Sequence, residues 1–490
     1  MSNKVNIIGS NKSEIFRVSN TTDGKLQVKV FARERSDTSF IMYDRIFDPK
    51  VTREIRMFGL NDKDVFMVDS NTHSTIKLRM IGGQDYDTFD LRGKVEALLY
   101  DTKDTGNYIR NHSHAKNRFS SNSPVNEKSL FNFNYNYSKF PQFTFHYNSD
   151  DNFYMGTGFS RRTFGFRNLP YATDQNLRIL YAVEHNAWQL DYSGEFNHIT
   201  REIDLVIKAN AARNALRNFY GIGNHVDLDK TKPVNYYQVR YRKLEFEALI
   251  RKRFFDKFHI MVGPYYNRYS ASQKENLGNI FAKPANIGQD SASIFGNKAY
   301  MGVKMAIVID NRNKAFWPSR GIFWENKVFA QRGLNKNSQD LVGFTSDMTV
   351  YASFADPAKM IAVLKIGGGH LFNRNFEYFQ ALTLGANNGL RGFRKDRYMG
   401  RANFYSSLEM RVKLGDINSY FVPGQIGLLF FGDVGKVHSR FDLTRRWHGA
   451  YGAGIYYLPF NLFAITGSVG FHSDEKSLNF SLGTRFNLVY

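Results

Sequence analysis

"SLNFSLGTRFNLVY", residues 477–490, is the stretch whose reading decides the fold. Leu478, Phe480, Leu482, Thr484, Phe486, Leu488 and Tyr490 share one parity, while Asn479, Ser481, Gly483, Arg485, Asn487 and Val489 share the other. A period of two puts one set on each face of an extended strand. Its length, about nine residues or more, is what a tilted strand needs to cross a bilayer. The same alternation starts at "FNFNYNYSKF" (131–140), where aromatic and asparagine residues take turns. It continues through 141–149, 178–196, 246–270 and 359–372.

Composition agrees with strands rather than helices as the spanning elements. Mean hydropathy is −0.44, and no run approaches the roughly 18–20 apolar residues of a membrane helix. A barrel strand hides its apolar residues at every second position, so it escapes that criterion. Aromatic residues make up 16 % of the 490 residues, with Pro at 11 and Cys at 0. The missing cysteine excludes disulfides and thiolate chemistry. A net charge of +21 is spread along the chain, with no basic helix or recognition motif. That spread predicts solvated loops and a polar lumen, with membrane lipids and lipopolysaccharide as anionic partners, and no nucleic acid.

Strands in hydrocarbon must close on one another, because an open edge leaves backbone groups unpaired. At about 22 residues per strand and loop, 129–490 holds roughly sixteen strands, an even number as bacterial barrels use. The expected fold is therefore all-β: a transmembrane antiparallel β-barrel of about sixteen strands, preceded by a small β-rich N-terminal domain (1–100) and a polar linker (101–128). An exported barrel needs a signal, and "MSNKVNIIGSNKSEIFRV" (1–18) has no continuous apolar run. The signal is expected to be trimmed, or to lie upstream in a longer protein.

The N-terminal domain contains a repeat in two copies. "IRMFGLNDKDVF" (55–66) aligns without gaps on "LRMIGGQDYDTF" (78–89). Each copy is strand, Gly/Asn/Asp turn, strand, a unit that stacks on its neighbour. The pattern resembles a degenerate calcium-binding β-roll, which makes Asp62, Asp64, Asp85 and Asp87 weak calcium candidates. Lys63 and Tyr86 stand where that motif has its middle glycine. The competing reading is a metal-free β-stack whose turn aspartates cap backbone groups.

The remaining signal lies in "GANNGLRGFRKDRYMG" (385–400) and in the two strands C-terminal to it. In "SSLEMRVKL" (406–414), Leu408, Met410, Val412 and Leu414 share a face, so Glu409 points into the lumen if that face meets lipid. Asp433 comes next, in "FGDVG" (431–435). A loop arginine folding inward would meet two carboxylates. The series "GLRGF", "SLE" and "FxDxG" resembles the bacterial surface antigen superfamily, which includes the BamA- and TamA-type outer-membrane insertases. "IDNRNKAFWPSRGIFW" (309–324) and "NFYGIGNHV" (218–226) are similar to two further motifs of that group, in the same order.

The resemblance implies that Arg391 locks onto Glu409 and Asp433, with Gly392 allowing close approach and Phe393 packing on the inner wall. It makes Phe486, Leu488 and Tyr490 a C-terminal barrel signal. It further implies an outer membrane of a Gram-negative bacterium, with the N-terminal domain in the periplasm. The implied function is assembly or insertion of outer-membrane proteins or lipids, with client barrel proteins or assembly-complex subunits as partners and no cofactor. The first hundred residues lack the paired amphipathic helices of POTRA modules. That departure leaves two alternatives: a membrane-anchoring barrel for an N-terminal phosphoesterase or patatin-type hydrolase, and a passive pore favouring anions. "GNH" (223–225) also occurs in metallophosphoesterases, but its companion Asp-x-His and Gly-Asp motifs are absent, and no nucleophile elbow or phosphate loop is present. The chain is not expected to be an enzyme.

Overall fold

The computed structural model describes residues 2–33, 40–83, 85–103, 106–112, 114–119, 136–148, 152–166, 170–183, 186–200, 203–225, 228–229, 231–254, 257–282, 294–386, 388–439, 446–472 and 476–484. It divides into two units: Met1–Tyr135 with Phe164–Tyr171, and Asn136–Thr163 with Ala172–Tyr490.

The first unit is built from short strands: β1 (Lys4–Ile8), β2 (Glu14–Asn20), β3 (Leu26–Ala32), β4 (Ile41–Phe47), β5 (Glu54–Leu60), β6 (Val65–Val68), β7 (His73–Gly83), β8 (Thr88–Leu91), β9 (Lys94–Tyr100), β10 (Tyr108–Arg110) and β11 (Ala115–Asn117). One sheet runs β1-β5-β7-β9-β11 and the other β10-β8-β6-β2-β3-β4. Pairing is parallel through the first sheet and from β10 to β2 in the second, whereas β2–β3 and β3–β4 are antiparallel. Such a pattern is a parallel solenoid, each coil giving one strand to each sheet.

Its register corrects the two-copy repeat. Ile7, Met57, Met80 and Leu99 are successive partners in one sheet, and Phe16, Phe66, Phe89 and Ile109 in the other. Coils therefore lie on both sides of the matched pair. The first escapes a gapless alignment because the β3–β4 hairpin interrupts it before β5. The later coil has Asn107 and Ile109 where its neighbours have aspartate and phenylalanine. Part of the expected linker belongs to the solenoid: Tyr108–Arg110 and Ala115–Asn117 pair with β8 and β9, and Phe119 is buried, while 120–128 lie outside the described residues. Three-residue strands contribute one inward side chain each, too little for periodicity to register. Phe16 stacks on Phe66 at 4.8 Å and Phe66 on Phe89 at 5.1 Å, forming the spine of the core.

A second ladder runs beside that spine. The Glu14 N–H donates to Asp64 Oδ1 (2.8 Å), the Asp64 N–H to Asp87 Oδ1 (2.8 Å), and the Asp87 N–H to Asn107 Oδ1 (2.7 Å). Gly59 and Gly82 make the room: a Cβ on either would lie 2.1 Å from the carboxylate of its own coil. Burial pushes the Asp64 carboxyl up to about 8, and burial together with the Asp101 charge pushes Asp87 up as well. Asp62 and Asp85 sit in the left-handed turn positions, and the Asp62 N–H donates to Asp85 Oδ2 (3.2 Å). These carboxylates cap the backbone of the coil stacked on them. Among the described residues no cluster of three or more His, Asp or Glu side chains is arranged to hold a metal ion.

Among the described residues the second unit holds one antiparallel sheet of sixteen strands and a separate two-stranded ladder. In chain order its elements are β12 (Tyr137–Asn148), β13 (Asn152–Thr163), β14 (Thr173–Ala182), β15 (Ala187–Thr200), β16 (Ile203–Asn218), β17 (Gln238–Phe254), β18 (Phe258–Ser270), β19 (Lys298–Asp310), β20 (Gly321–Gly333), β21 (Leu341–Ser353), β22 (Met360–Leu371), β23 (Leu382–Leu384), β24 (Tyr398–Gly400), β25 (Ala402–Ile417), β26 (Gly424–His438), β27 (His448–Pro459), β28 (Phe463–Phe471) and β29 (Lys476–Thr484). Neighbours in sequence are neighbours in the sheet, except that β23 and β24 pair with each other and leave β22 beside β25. This is the up-and-down order of a transmembrane barrel. Apolar side chains face outward at alternate positions, as Met301, Val303 and Met305 do on β19, and Phe404 and Leu408 on β25. A soluble sheet would bury that surface; a bilayer is the solvent it fits.

Several inner-wall cations pair with acids. Arg251 pairs with Glu195 (2.8 Å) and Asp204 (3.0 Å), Arg178 with Asp191 (2.9 Å), Lys327 with Glu325 (2.7 Å), and Lys304 with Glu247. The loops at one end bury an aromatic cluster of Phe219, Tyr220, Tyr237, Phe281 and Tyr378.

Candidate functional site in the barrel lumen

The loop between β22 and β25 enters the barrel. Its short β23–β24 ladder brings the two legs together, and Leu384, Leu390, Phe393 and Tyr398 bury against Tyr405, Val437 and Ala450 of the wall. The Phe393 ring stacks on His472 at 4.0 Å. Two glycines let the backbone come so close. Gly389 has φ +85° and lies against the Tyr405 ring, where a Cβ would come within 2.4 Å. At Gly392 a Cβ would sit 2.6 Å from the Ala450 Cβ, and Gly470 faces the Gly392 backbone. Any side chain at 392 would push the loop off the wall.

That approach delivers Arg391. Its Nε donates to Asp433 Oδ2 (3.0 Å) and its Nη2 to Asp433 Oδ1 (2.9 Å), the paired geometry a guanidinium fork offers a carboxylate. The Arg391 N–H adds a third bond to Asp433 Oδ2 at 2.8 Å. Nη1 donates to Glu409 Oε2, and Nη2 also reaches the Ser407 hydroxyl at 2.8 Å. Ser407 donates in turn to Asp433 Oδ1 at 2.6 Å. The guanidinium lies over the Phe431 ring, 3.9 Å from its centroid, a cation–π contact sheltered from solvent. Asp433 has 3 % of its surface exposed, so its charge depends on these donors.

Strand parity accounts for the wall side of this site. On β26, Leu429, Phe431 and Asp433 are buried while Phe430 and Val434 are exposed. On β25, Leu408 is 56 % exposed while the Glu409 side chain is 13 % exposed. Ser407 and Phe431 share parity with the two acids and belong to the site, although reading the motif for charge passes over them. Arg411, two residues beyond Glu409, pairs with its other oxygen at 2.7 Å. Arg391, Gly392, Phe393, Glu409 and Asp433 are thus brought together. Phe486, Leu488 and Tyr490 lie outside the described residues.

The other two motifs are structural. Asn224 of "GIGNH" is buried, donating to the Val437 carbonyl (2.7 Å) and accepting from the Val437 N–H (2.9 Å). Gly223 bridges to Met399 beside it. The segment thereby ties one loop to β24 and β26. In "DNRNKAFWPSRG" (310–321), Arg312 pairs with Asp310 at 2.7 Å, and Asn313 Oδ1 accepts the Ser319 and Arg320 N–H groups. Gly321, at φ +110°, closes the turn against the Arg312 backbone.

Among the solved structures similar to the chain are a BamA and a CdiB. One is BamA from Haemophilus ducreyi lacking POTRA domains 1–3, at 11% identity, covering 71% of this chain and 69% of that one, with a TM-score of 0.49. The chain resembles a BamA-type barrel. The other is CdiB from Acinetobacter baumannii, at 13% identity, 71% and 59% coverage, and a TM-score of 0.44. No protein-family model and no curated protein sequence matches the chain.

Proposed function

We propose that this chain is an outer-membrane barrel of the bacterial surface antigen superfamily that assists the assembly or insertion of outer-membrane proteins or lipids. It would reside in the outer membrane of a Gram-negative bacterium, with the solenoid in the periplasm. The observation that carries the reading is the Arg391 constellation. A loop arginine is held by Asp433, Glu409 and Ser407 on two adjacent strands, and every member comes from the ordered motifs. The work would involve no covalent chemistry: a barrel edge offers backbone groups to an incoming strand, and burial of the client's apolar face in lipid drives the step. The lock stiffens the strands near the C-terminal side of the sheet, where such an edge would lie.

The test is insertion of a urea-unfolded outer-membrane client into proteoliposomes. Insertion should be faster than into empty vesicles, and slower with Arg391→Ala. Equal rates in loaded and empty vesicles would remove the insertase reading. A second reading, a barrel anchoring a hydrolase, is favoured by one feature: the first unit is a parallel solenoid rather than helix-bearing modules. A hydrolase sequence encoded directly upstream would decide for it.

A further inference from the structure

The turn 311–320 does something that its motif residues do not explain. It joins β19 and β20, whereas Phe316 and Trp317 pack against Leu429, Phe431, Tyr456, Leu458 and Ala464 of β26, β27 and β28. Three strands, β21, β22 and β25, separate β20 from β26 around the wall. Contact between them has to cross the interior. The turn therefore enters the lumen. Antiparallel order also fixes the end from which it enters. The arginine loop leaves β22 after Leu371, and the turn 311–320 lies at the end where β22 begins, so the two segments enter from opposite ends.

They meet through a short column of side chains. Trp317 packs on Tyr456 with ring centroids 4.9 Å apart. Arg411 lies over the Trp317 ring at 4.2 Å. The same guanidinium pairs with Glu409 at 2.7 Å, and the other oxygen of Glu409 accepts from Arg391. Arg391 covers Phe431, which belongs to the apolar cluster that receives Trp317. Tryptophan, arginine, glutamate, arginine and aspartate thus form one continuous stack between the two inserted segments.

Trp317 adds an independent sign that this placement is imposed. Its φ is +49°, in the left-handed region that bulky side chains rarely adopt, and the residue after it is Pro318, which further favours extended backbone at 317. A conformation the local sequence disfavours persists because the surroundings hold it. Those surroundings are the Arg411 guanidinium and the wall cluster.

We propose that the turn 311–320 is a second plug of the lumen, and that Trp317 is a positioning residue coupled through Arg411 and Glu409 to the arginine loop. The inference goes beyond the insertase reading and does not depend on any client. It makes the resting barrel closed to ions and makes release of one plug favour release of the other.

The test uses the full chain in planar bilayers, together with limited trypsin digestion of the folded protein, with heat-modifiable gel migration as the control for folding. Trp317→Ala is expected to raise conductance and to speed cleavage within 385–400 by tenfold or more, although that loop enters from the other end. Trp317→Phe restores both properties towards the parent. Should Trp317→Ala fail to fold, Arg411→Gln, which leaves the turn intact, is expected to speed cleavage in the same loop. Parent-like conductance in Trp317→Ala overturns the proposal. Unchanged cleavage of 385–400 in both variants overturns it equally.

Discussion

Replacing Arg391 by alanine has a cost that can be worked from its partners. The substitution removes two bonds from Asp433 (3.0 and 2.9 Å), one from Glu409 and one from Ser407. The loss is not total. Asp433 keeps the residue-391 N–H at 2.8 Å and the Ser407 hydroxyl at 2.6 Å, and Glu409 keeps Arg411 at 2.7 Å. Stranding a buried charge costs about 3–5 kcal/mol, so the two surviving donors put the expected value at about 3 kcal/mol. That corresponds to roughly 100-fold in the equilibrium between seated and released loop. Asp433→Asn keeps the shape and loses the charge, for about 1.5–3 kcal/mol. Because the two residues act on one another, the double variant should be little worse than Arg391→Ala alone. The assay is urea titration of the folded barrel in micelles, monitored by heat-modifiable migration, with trypsin cleavage inside 385–400 as a local probe. Arg391→Lys should fall between parent and alanine, since an ammonium keeps the charge but not the fork. Single variants within about 0.5 kcal/mol of the parent, or strictly additive ones, would refute the reasoning.

Two further outcomes are expected from the structure. Gly392→Val should unseat the loop by overpacking against Ala450 and Gly470, at about 1–3 kcal/mol, and should raise cleavage in 385–400 while Arg391 itself is unchanged. In the solenoid, the folded Asp64 carboxyl titrates near 8 because of burial, whereas an unfolded aspartate titrates near about 3.9. The folded state holds the proton longer, so stability is fullest below about pH 4, declines through neutrality, and levels off above about pH 8. Proteolysis of residues 55–110 in the intact chain should therefore be slower at pH 5.5 than at pH 9, and Asp64→Asn should reduce that difference.

The legibility of this chain has a simple physical basis. Period-two alternation is a local property, so the long strands and the inward direction of Glu409 and Asp433 can be read from neighbours in sequence. Ser407, Phe431 and Arg411 are equally accessible by that parity, but a search for opposite charges skips a hydroxyl, an aromatic ring and a second cation. Trp317 is different. Its partners are Tyr456 and Arg411, and nothing local announces a contact across the lumen. In the solenoid, the aligned copies 55–66 and 78–89 are visible because the spacing from the end of β5 to the start of β6 equals that from the end of β7 to the start of β8. The flanking coils are hidden by the β3–β4 insertion and by Asn107 and Ile109. The short strands β10 and β11 carry too few residues for any period, and so a polar stretch that completes a core reads as a linker.

The central claim is a barrel with lipid outside and a filled, polar interior. It is tested most directly by single-cysteine labelling along β19, which is clean because the chain has no cysteine of its own. A bimane fluorophore placed in turn at 301, 302, 303, 304 and 305 is reconstituted in vesicles containing brominated lipid. Met301, Val303 and Met305 are exposed on the apolar face, whereas the Lys304 side chain is 20 % exposed and paired with Glu247. Strong quenching is predicted at 301, 303 and 305, and weak quenching at 302 and 304. Uniform quenching along the strand, or none at all from a protein that stays soluble without amphiphile, would contradict it.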